Sequence, residues 1–313
     1  MKILITGAAG FIGSHTAEYF AQQGHEVYGL DNFSGYYSPE LKKLNRDDIQ
    51  ASGVQFIECD LLDDLGSRTP AEFDYIYHFA AQPGISATTS LEQYVRNNIY
   101  ATQNLLSWAR DFNPKLKMFV NIATSSIYGK EATLPETAVP TPISFYGTTK
   151  LAAEQLALGE QRVGKLPVCS LRLYSVYGPR ERPEKLYTKL IEAIYKDEEF
   201  PLFKGSEKHS RSFTYVGDIV KGMAAIPGRE GQVNGEIINI GSDEEFTTGE
   251  GIAMIEKIIG KKAKIKETTP RPGDQLRTTA VIDKARKLLD YEPETDFEEG
   301  LRNQVEWYRQ KFL

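Results

Sequence analysis

The sequence predicts an α/β protein, a doubly wound parallel sheet with a smaller, mixed α/β C-terminal lobe. Three observations carry this expectation. Residues 1–125 alternate short runs of β-branched and apolar side chains with longer amphipathic ones, the pattern of strands joined by crossover helices. The first such run passes through Thr6-Gly7-Ala-Ala-Gly10-Phe-Ile-Gly13 straight into a helical pattern. Beyond about residue 175 the alternation gives way to shorter segments punctuated by Pro and Gly. The chain has 313 residues, 41% hydrophobic and 26% charged, enough for one or two packed cores.

A net charge of −6 without a dense Lys/Arg block argues against a nucleic-acid or anionic-membrane partner. No apolar run approaches the ~20 residues of a membrane span, and a strand starting at Lys2 leaves no room for a signal peptide. A cytoplasmic protein is expected. Cys59 and Cys169, far apart in predicted strands, are expected to be buried thiols. His15, His25, His78 and His209 show no ligand spacing, so no metal is expected.

Ile3–Thr6 reads as a buried strand that stops at Gly7, and Phe11–Gln23 as the helix that follows. Strand, glycine turn and helix together aim backbone N–H groups and a helix N-terminus at a pyrophosphate. Gly7 permits the turn, Gly10 lets phosphates approach and Gly13 lets the helix pack close to the sheet. The G-x-x-G-x-x-G spacing is weak alone, since an ordinary turn rich in small residues reads the same way. Glu26–Leu30 is a second strand, ending at Asp31, where a dinucleotide site needs a carboxylate for ribose hydroxyls. That carboxylate would repel a 2′-phosphate and so favours NAD over NADP, although Lys42, Lys43 and Arg46 lie nearby.

Pro39–Ser52 reads as a polar helix, Val54–Glu58 as a third strand before Cys59-Asp60-Leu61, and Tyr75–Phe79 as a fourth ending in His78-Phe-Ala80-Ala81-Gln82. Ala80 and Ala81 leave room for a flat cofactor against the backbone. Leu91–Arg110 is a long amphipathic helix containing Asn97 and Asn98, and Met118–Ala123 a fifth strand running into Thr124-Ser125-Ser126. Phe145–Val163 is a helix carrying Tyr146 and Lys150, and Pro167–Leu173 a sixth strand. Helical segments near Pro183–Tyr195 and Thr247–Ile259 belong to the smaller lobe. The last helix, Asp296–Phe312, is expected to pack back onto the body. Residues 1–174 are thus expected to form the nucleotide-binding domain, rejoined by segments near 213–241 and 281–313. Residues 175–280 are expected to form mainly the substrate lobe.

Tyr146 and Lys150 stand four residues apart, on one helix face. An ammonium near the phenol favours the phenolate and is expected to bring its pKa down from ~10, making Tyr146 a general base. Thr124 at a strand end can hold a substrate hydroxyl in line. With a nicotinamide nearby, these groups suit removal of a proton from an alcohol as hydride leaves its carbon. An ordinary i,i+4 pair on a solvated helix is the bland alternative. It fits poorly after five nucleotide-binding strands and a Thr-Ser-Ser strand end.

Across nearly its whole length the chain resembles an extended short-chain dehydrogenase/reductase with a Rossmann domain, and within that family a nucleotide-sugar epimerase. The resemblance rests on residues 6–13 with Phe11 and Ile12, Asp31-Asn32-Phe, Asp60-Leu61, His78-Phe-Ala-Ala-Gln82 and Asn98. It continues through Tyr146-Gly-Thr-Thr-Lys150, Arg211-Ser-Phe-Thr-Tyr-Val-Gly-Asp218 and Arg271-Pro-Gly-Asp274. It implies tightly bound NAD, with Asp31 on the adenosine ribose and Asp60 and Leu61 flanking the adenine. It also implies a cofactor site including Asn32, Lys42, Ala80, Ala81, Gln82 and Asn98. Thr124, Tyr146 and Lys150 would be catalytic, and Arg211 and Arg271 would grip the diphosphate of a UDP-sugar, a task suited to planar guanidinium forks. Pro83, Gly84, Ser125, Ser126, Ser175, Arg182 and Asp274 complete the implied sugar site.

The subfamily can be narrowed. The dehydratases of this family carry Thr-Asp-Glu where this chain has Thr124-Ser125-Ser126, and UDP-glucuronate decarboxylases tend to carry Glu at the position of Ser126. Asp31-Asn-Phe-Ser-Gly-Tyr36-Tyr37 through Leu41-Lys42, Ser175, and Gly178-Pro-Arg-Glu-Arg182-Pro183 resemble UDP-glucuronate 4-epimerases. Arg182 could pair with a sugar carboxylate. Two positions depart: Ser86 replaces a common arginine, and Ser212 the Asp of the usual Arg-Asp-Phe-Thr. The implied reaction is C4 epimerisation of UDP-glucuronate to UDP-galacturonate. The alternatives are UDP-glucose/UDP-galactose or UDP-N-acetylhexosamine 4-epimerisation, a nucleotide-sugar reductase, or an idle NAD-binding protein. The resemblance also implies a homodimer formed through the helices at Leu91–Arg110 and Phe145–Val163.

Overall fold

The computed structural model describes residues 1–86, 88–269 and 276–313. Among these, seven strands form the central sheet: β1 (Lys2–Thr6), β2 (Glu26–Asp31), β3 (Gln55–Glu58), β4 (Tyr75–His78), β5 (Met118–Thr124), β6 (Val168–Leu173) and β7 (Ile237–Ile240). Their order is β7-β6-β5-β4-β1-β2-β3, and each neighbouring pair is parallel. The order reverses between β1 and β4, where Thr6 lies opposite His78. Open α/β sheets take ligands beyond the strands' carboxyl ends at such a reversal.

The helices used below are α1 (Phe11–Gln22), α2 (Pro39–Ala51), α3 (Ala101–Phe112), α4 (Phe145–Arg162), α5 (Leu186–Lys196), α6 (Val216–Ala224), α7 (Thr248–Ile259) and α8 (Phe297–Phe312). Two cores flank the sheet. One joins Ile3, Ile5, Val120 and Leu171 to Ala17 and Phe20 of α1 and Ile219 and Met223 of α6. The other joins Leu4, Ile76 and Phe119 to Leu105 and Trp108 of α3 and Ala157 and Leu158 of α4. With both faces covered, β5 and β6 are buried along their whole length, which is why they read as unbroken apolar runs. Cys59 and Cys169 are both free and buried.

A third core serves the second lobe, where Tyr187, Leu190 and Ile191 of α5 meet Ile252 and Ile255 of α7. Phe297, Leu301, Val305 and Tyr308 of α8 join this core. The segment 281–313 therefore divides. The short helix Asp283–Leu289 supplies Ala285 and Leu289 to a sheet core, whereas α8 covers the second lobe, because its apolar stripe matches α5 and α7. The lobe also carries short strands at Glu131–Ala132, Ser210–Arg211, Phe246–Thr247 and Arg277–Thr278, joined in one small sheet.

The predicted helix Leu91–Arg110 departs from α geometry in its middle. Leu91–Tyr94 is α-helical, Val95–Tyr100 is π-helical and α3 resumes at Ala101. The wider turn holds Asn98 buried, at 1% exposure. Such local π turns recur at functional sites. No described helix is long and apolar enough to cross a membrane.

Candidate functional site

Beyond the carboxyl ends of β1, β2, β4 and β5 lies a cleft of about 620 Å³ that extends under the second lobe. At one end Gly7, with φ +70°, turns β1 into α1, and its N–H donates to Leu30 O at 2.7 Å. A Cβ on Gly13 would stand 2.3 Å from Gly7 O, so the turn can fold back on the first turn of α1 only with glycine there. Asn45 of α2, absent from the sequence reading, holds the same loop by donating to Ala9 O at 2.9 Å.

Asp31 is buried at the end of β2 and accepts from Ala9 N at 3.3 Å and Phe33 N at 2.8 Å. Lys42 approaches it to 3.6 Å and donates to Ser34 Oγ at 3.2 Å. Lys42 thus balances the carboxylate. Asp60 accepts from Asn32 at 2.9 Å, Arg96 at 3.0 Å and Leu62 N at 2.9 Å. Burial would raise the Asp60 carboxyl, but these donors and the Arg96 charge leave it lowered. A glycine cradle at a helix N-terminus and a carboxylate with spare lone pairs at the next strand end fit a dinucleotide's pyrophosphate and ribose.

Thr124, Ser125 and Ser126 line the middle of the cleft with Tyr146 and Lys150. Helix α4 begins there because Ser144 caps it, accepting from Gly147 N at 3.1 Å. A Cβ on Gly147 would lie 2.6 Å from Ser126 O, so glycine lets α4 abut the Thr-Ser-Ser turn. That close approach puts Tyr146 against Thr124.

The expected lowering of Tyr146 by Lys150 is absent in the chain alone. Burial pushes the Tyr146 phenol above its ordinary value, and hydrogen bonding to Thr124 and the Arg182 charge pull it down without reversing the shift. Lys150 is itself brought down to about 8 by burial, with the Glu154 carboxylate acting the other way. Glu154 lies buried one turn on and forms a bidentate pair with Arg172, at 2.6 and 3.0 Å.

The two arginines of the 178–183 segment separate. Arg180, with φ +65°, turns toward α1 and α2 and donates to Glu18 at 2.9 Å and Asp48 at 3.3 Å. Arg182 lines the cleft, lies over the Tyr36 ring at 5.7 Å and donates to Glu184 Oε1 at 2.6 Å. Glu181 between them is buried, accepting from Thr188 at 3.1 Å and from Gln304 of α8 at 2.8 Å. Burial raises its carboxyl above the usual value, against the pull of Lys185, Gln304, Thr188 and Arg182.

Of the residues singled out in the sequence, Gly7, Gly10, Phe11, Ile12, Gly13, Asp31, Asn32, Lys42, Asp60, Leu61, Ala80 and Ala81 line the cofactor end of the cleft. Pro83, Gly84, Ser175 and Arg211 line it toward the second lobe. Gln82 and Asn98 stand behind the wall: Asn98 Oδ1 accepts from Gln82 N at 2.7 Å, and its Nδ2 donates to Thr149 at 2.9 Å. Arg271 and Asp274 lie outside the described residues. Ser86 forms a local turn, accepting from Thr88 N and Thr89 N at 3.2 Å each, and Ser212 is buried.

Tyr36, Tyr37, Lys185, Lys189, Phe200 and Phe213, none of which the sequence assigned to the site, also line the cleft. The paired aromatics before Lys42 and Phe213, inside the Arg211–Asp218 motif, gave a signal, whereas Lys185, Lys189 and Phe200 sit in the second lobe outside the quoted motifs. Lys185 is pushed down by burial despite the Glu181 charge, with Arg182 and Arg211 acting in the same direction as burial. The second lobe thus gathers Arg182, Lys185 and Arg211 at one end of the cleft, an array suited to a diphosphate or carboxylate.

The sequence profile of the NAD dependent epimerase/dehydratase family matches residues 3–241. An uncharacterized UDP-glucose epimerase, YtcB, of Bacillus subtilis (strain 168) is 37% identical over 97% of both chains. A UDP-glucuronate 4-epimerase of Thermodesulfobacterium geofontis (strain OPF15) is 35% identical, over 98% of this chain and 96% of that one. The crystal structure of UDP-glucuronic acid 4-epimerase from Bacillus cereus, in complex with UDP-glucuronic acid and NAD, superposes over 100% of both chains. Its TM-score is 0.92 at 36% identity.

Proposed function

This chain belongs to the NAD-dependent epimerase/dehydratase family, and from that premise we propose that it interconverts UDP-glucuronate and UDP-galacturonate by inversion at C4. It is an NAD-dependent enzyme that epimerises a UDP-sugar through a 4-keto intermediate. The observation that carries the choice of sugar is Arg182, whose guanidinium lines the cleft and acts on the Tyr146 phenol while Arg180 is tied away. The relatives named as UDP-glucuronate 4-epimerases support the same reading.

When bound, NAD supplies a hydride acceptor and donor and a positive charge to the cleft. In this reading Tyr146 takes the proton of the sugar O4 and later returns it, Thr124 holds that hydroxyl, and Lys150, one turn on, would hold the cofactor beside the phenol. The chain alone leaves Tyr146 above its ordinary pKa, and the positive charge that NAD would bring beside it would favour ionisation of the phenol. Arg211, with Arg271 outside the described residues, grips the diphosphate while the 4-keto sugar turns over. That intermediate is a β-keto acid, prone to lose CO2. Arg182, Ser125, Ser126 and Ser175 therefore have to hold the carboxylate away from the geometry that breaks the C5–C6 bond.

A second reading, a neutral UDP-glucose/UDP-galactose or UDP-N-acetylhexosamine substrate, is favoured by one feature. Arg182 already has Glu184 as a partner at 2.6 Å and does not require a substrate carboxylate. The proposal includes a homodimer through α3 and α4, supported by their exposed Phe112, Phe145 and Leu156 and by Tyr100.

The test is to incubate the purified protein with UDP-glucuronate, without added cofactor, and follow the anomeric protons by NMR. Growth of UDP-galacturonate to equilibrium without a pentose product is expected. No change even with added NAD, together with turnover of a neutral UDP-hexose, would move the assignment to the second reading.

A further inference from the structure

At the reversal of strand order, β1 and β4 bury a histidine that the reaction as described does not use. His78 is 0% exposed, between Thr6 of β1 and Thr102 of α3. Its Nδ1 lies 2.8 Å from Thr6 Oγ1 and its Nε2 2.8 Å from Thr102 Oγ1. The flanking bonds fix every proton in this chain. Thr102 must spend its hydroxyl proton on the carbonyl of Asn98, at 2.7 Å, so toward His78 it can only accept. Nε2 therefore carries the hydrogen. At the other end Ala80 N–H donates to Thr6 Oγ1 at 3.2 Å, which leaves the Thr6 hydroxyl proton for the bare Nδ1.

The ring is neutral because burial, and then the Lys150 charge, bring its pKa down to about 3. Both ends of the chain reach the cleft wall. Thr6 holds Ala80, the small-residue shelf at the carboxyl end of β4. Thr102 holds the π-helical turn of Asn98, which grips Gln82 at the far end of that shelf. Asn98 also grips Thr149, between Tyr146 and Lys150 on α4.

We propose that His78 is a positioning residue, locked as its Nε2–H tautomer, that orients the Thr6 and Thr102 hydroxyls. It thereby ties the Ala80–Gln82 shelf, whose Ala80 and Ala81 line the cofactor end of the cleft, to the helix carrying Tyr146 and Lys150. His78 touches neither the substrate nor the cofactor. It acts through the two threonines.

The test uses the NAD-loaded protein labelled with 15N in its histidines. The wild-type His78 resonances are expected to show a protonated Nε2 and a bare Nδ1, unchanged across the pH range of folding above about 5. Thr6→Val and Thr102→Val are close in shape to the native residues and each remove one hydroxyl. Each is expected to speed NAD release about fivefold, the worth of one neutral hydrogen bond. Each should also lower kcat for UDP-glucuronate per bound NAD by a similar factor, with KM changed less than twofold. Thr102→Val should in addition release the tautomer to a mixture.

A wild-type Nδ1–H tautomer would overturn the proposal, as would variants that melt earlier yet release NAD and turn over as the wild type does. The NMR and release readouts need no sugar. They stand even if UDP-glucuronate proves not to be the substrate.

Discussion

Arg182 and Arg180 are two residues apart and read alike in the sequence, yet they have opposite employment. What separates them is one backbone dihedral, the φ of +65° at Arg180, and no spacing rule shows that. Arg182→Leu is expected to raise KM for UDP-glucuronate by about 10- to 100-fold, the loss of a charge-assisted pair, and to spare neutral UDP-hexoses. A substrate panel on the variant checks this. Tyr146→Phe is expected to lower kcat by about 10²–10⁴ with NAD still bound, read as turnover per bound NAD. The Tyr-x-x-x-Lys motif was legible in the sequence, but its electrostatics were not, because burial of a phenol depends on the lobe above it. The same burial makes Lys150 costly. Its folded pKa, about 8, lies below the ordinary value of 10.5, so the unfolded chain holds more protons between these values and stability rises with pH across that window. Below about pH 8 the full cost applies. Lys150→Met should therefore abolish turnover yet stabilise the NAD-free chain near neutral pH by on the order of 3 kcal/mol. An unchanged or lower melting temperature would contradict this.

The strands and helices that carry the site were legible because their periodicity is strong. Every strand of the sheet up to Leu173 was placed within about two residues, the usual uncertainty of element ends. The π turn at Val95–Tyr100 was not, since apolar spacing around Asn98 still looks α-helical when one residue is absorbed into a wider turn. Nor was the link from α4 to β6. Glu154 and Arg172 are 18 residues apart and meet in a buried bidentate pair, with Arg172 also over the Tyr128 ring at 4.8 Å. Glu154→Gln leaves that guanidinium without its counter-charge and is expected to cost about 3–5 kcal/mol in urea unfolding. Gly13→Ala tests the other anchoring element. Its Cβ would meet backbone rather than a movable side chain, so loss of NAD binding by calorimetry is expected, with the glycine turn displaced.

The two lobes are not consecutive pieces of chain. The chain lends Glu131–Ala132 to the second lobe's small sheet before β6, enters that lobe after β6, returns to the sheet through α6 and β7, and crosses to the second lobe again with α7 and α8. The broken periodicity after residue 175 signalled a new lobe, and the return near 213–241 was expected, but the division of 281–313 was not, because which core a short helix joins is decided by surfaces distant in sequence. At the same scale, Tyr100 and Phe145 are 59% and 55% exposed, near the long helices expected to pair. Tyr100→Glu with Phe145→Glu should shift the protein from dimer to monomer in sedimentation. A wild-type monomer would remove that expectation. The bond from Gln304 to Glu181 has a further consequence, for the order in which a newly made chain matures. Glu181 adjoins Arg182, and its buried partner Gln304 is made 123 residues later. A nascent chain can thus complete its glycine cradle early and capture the dinucleotide while the sugar's guanidinium anchor is still unsupported. Synthesis itself would load the cofactor first and admit the sugar last.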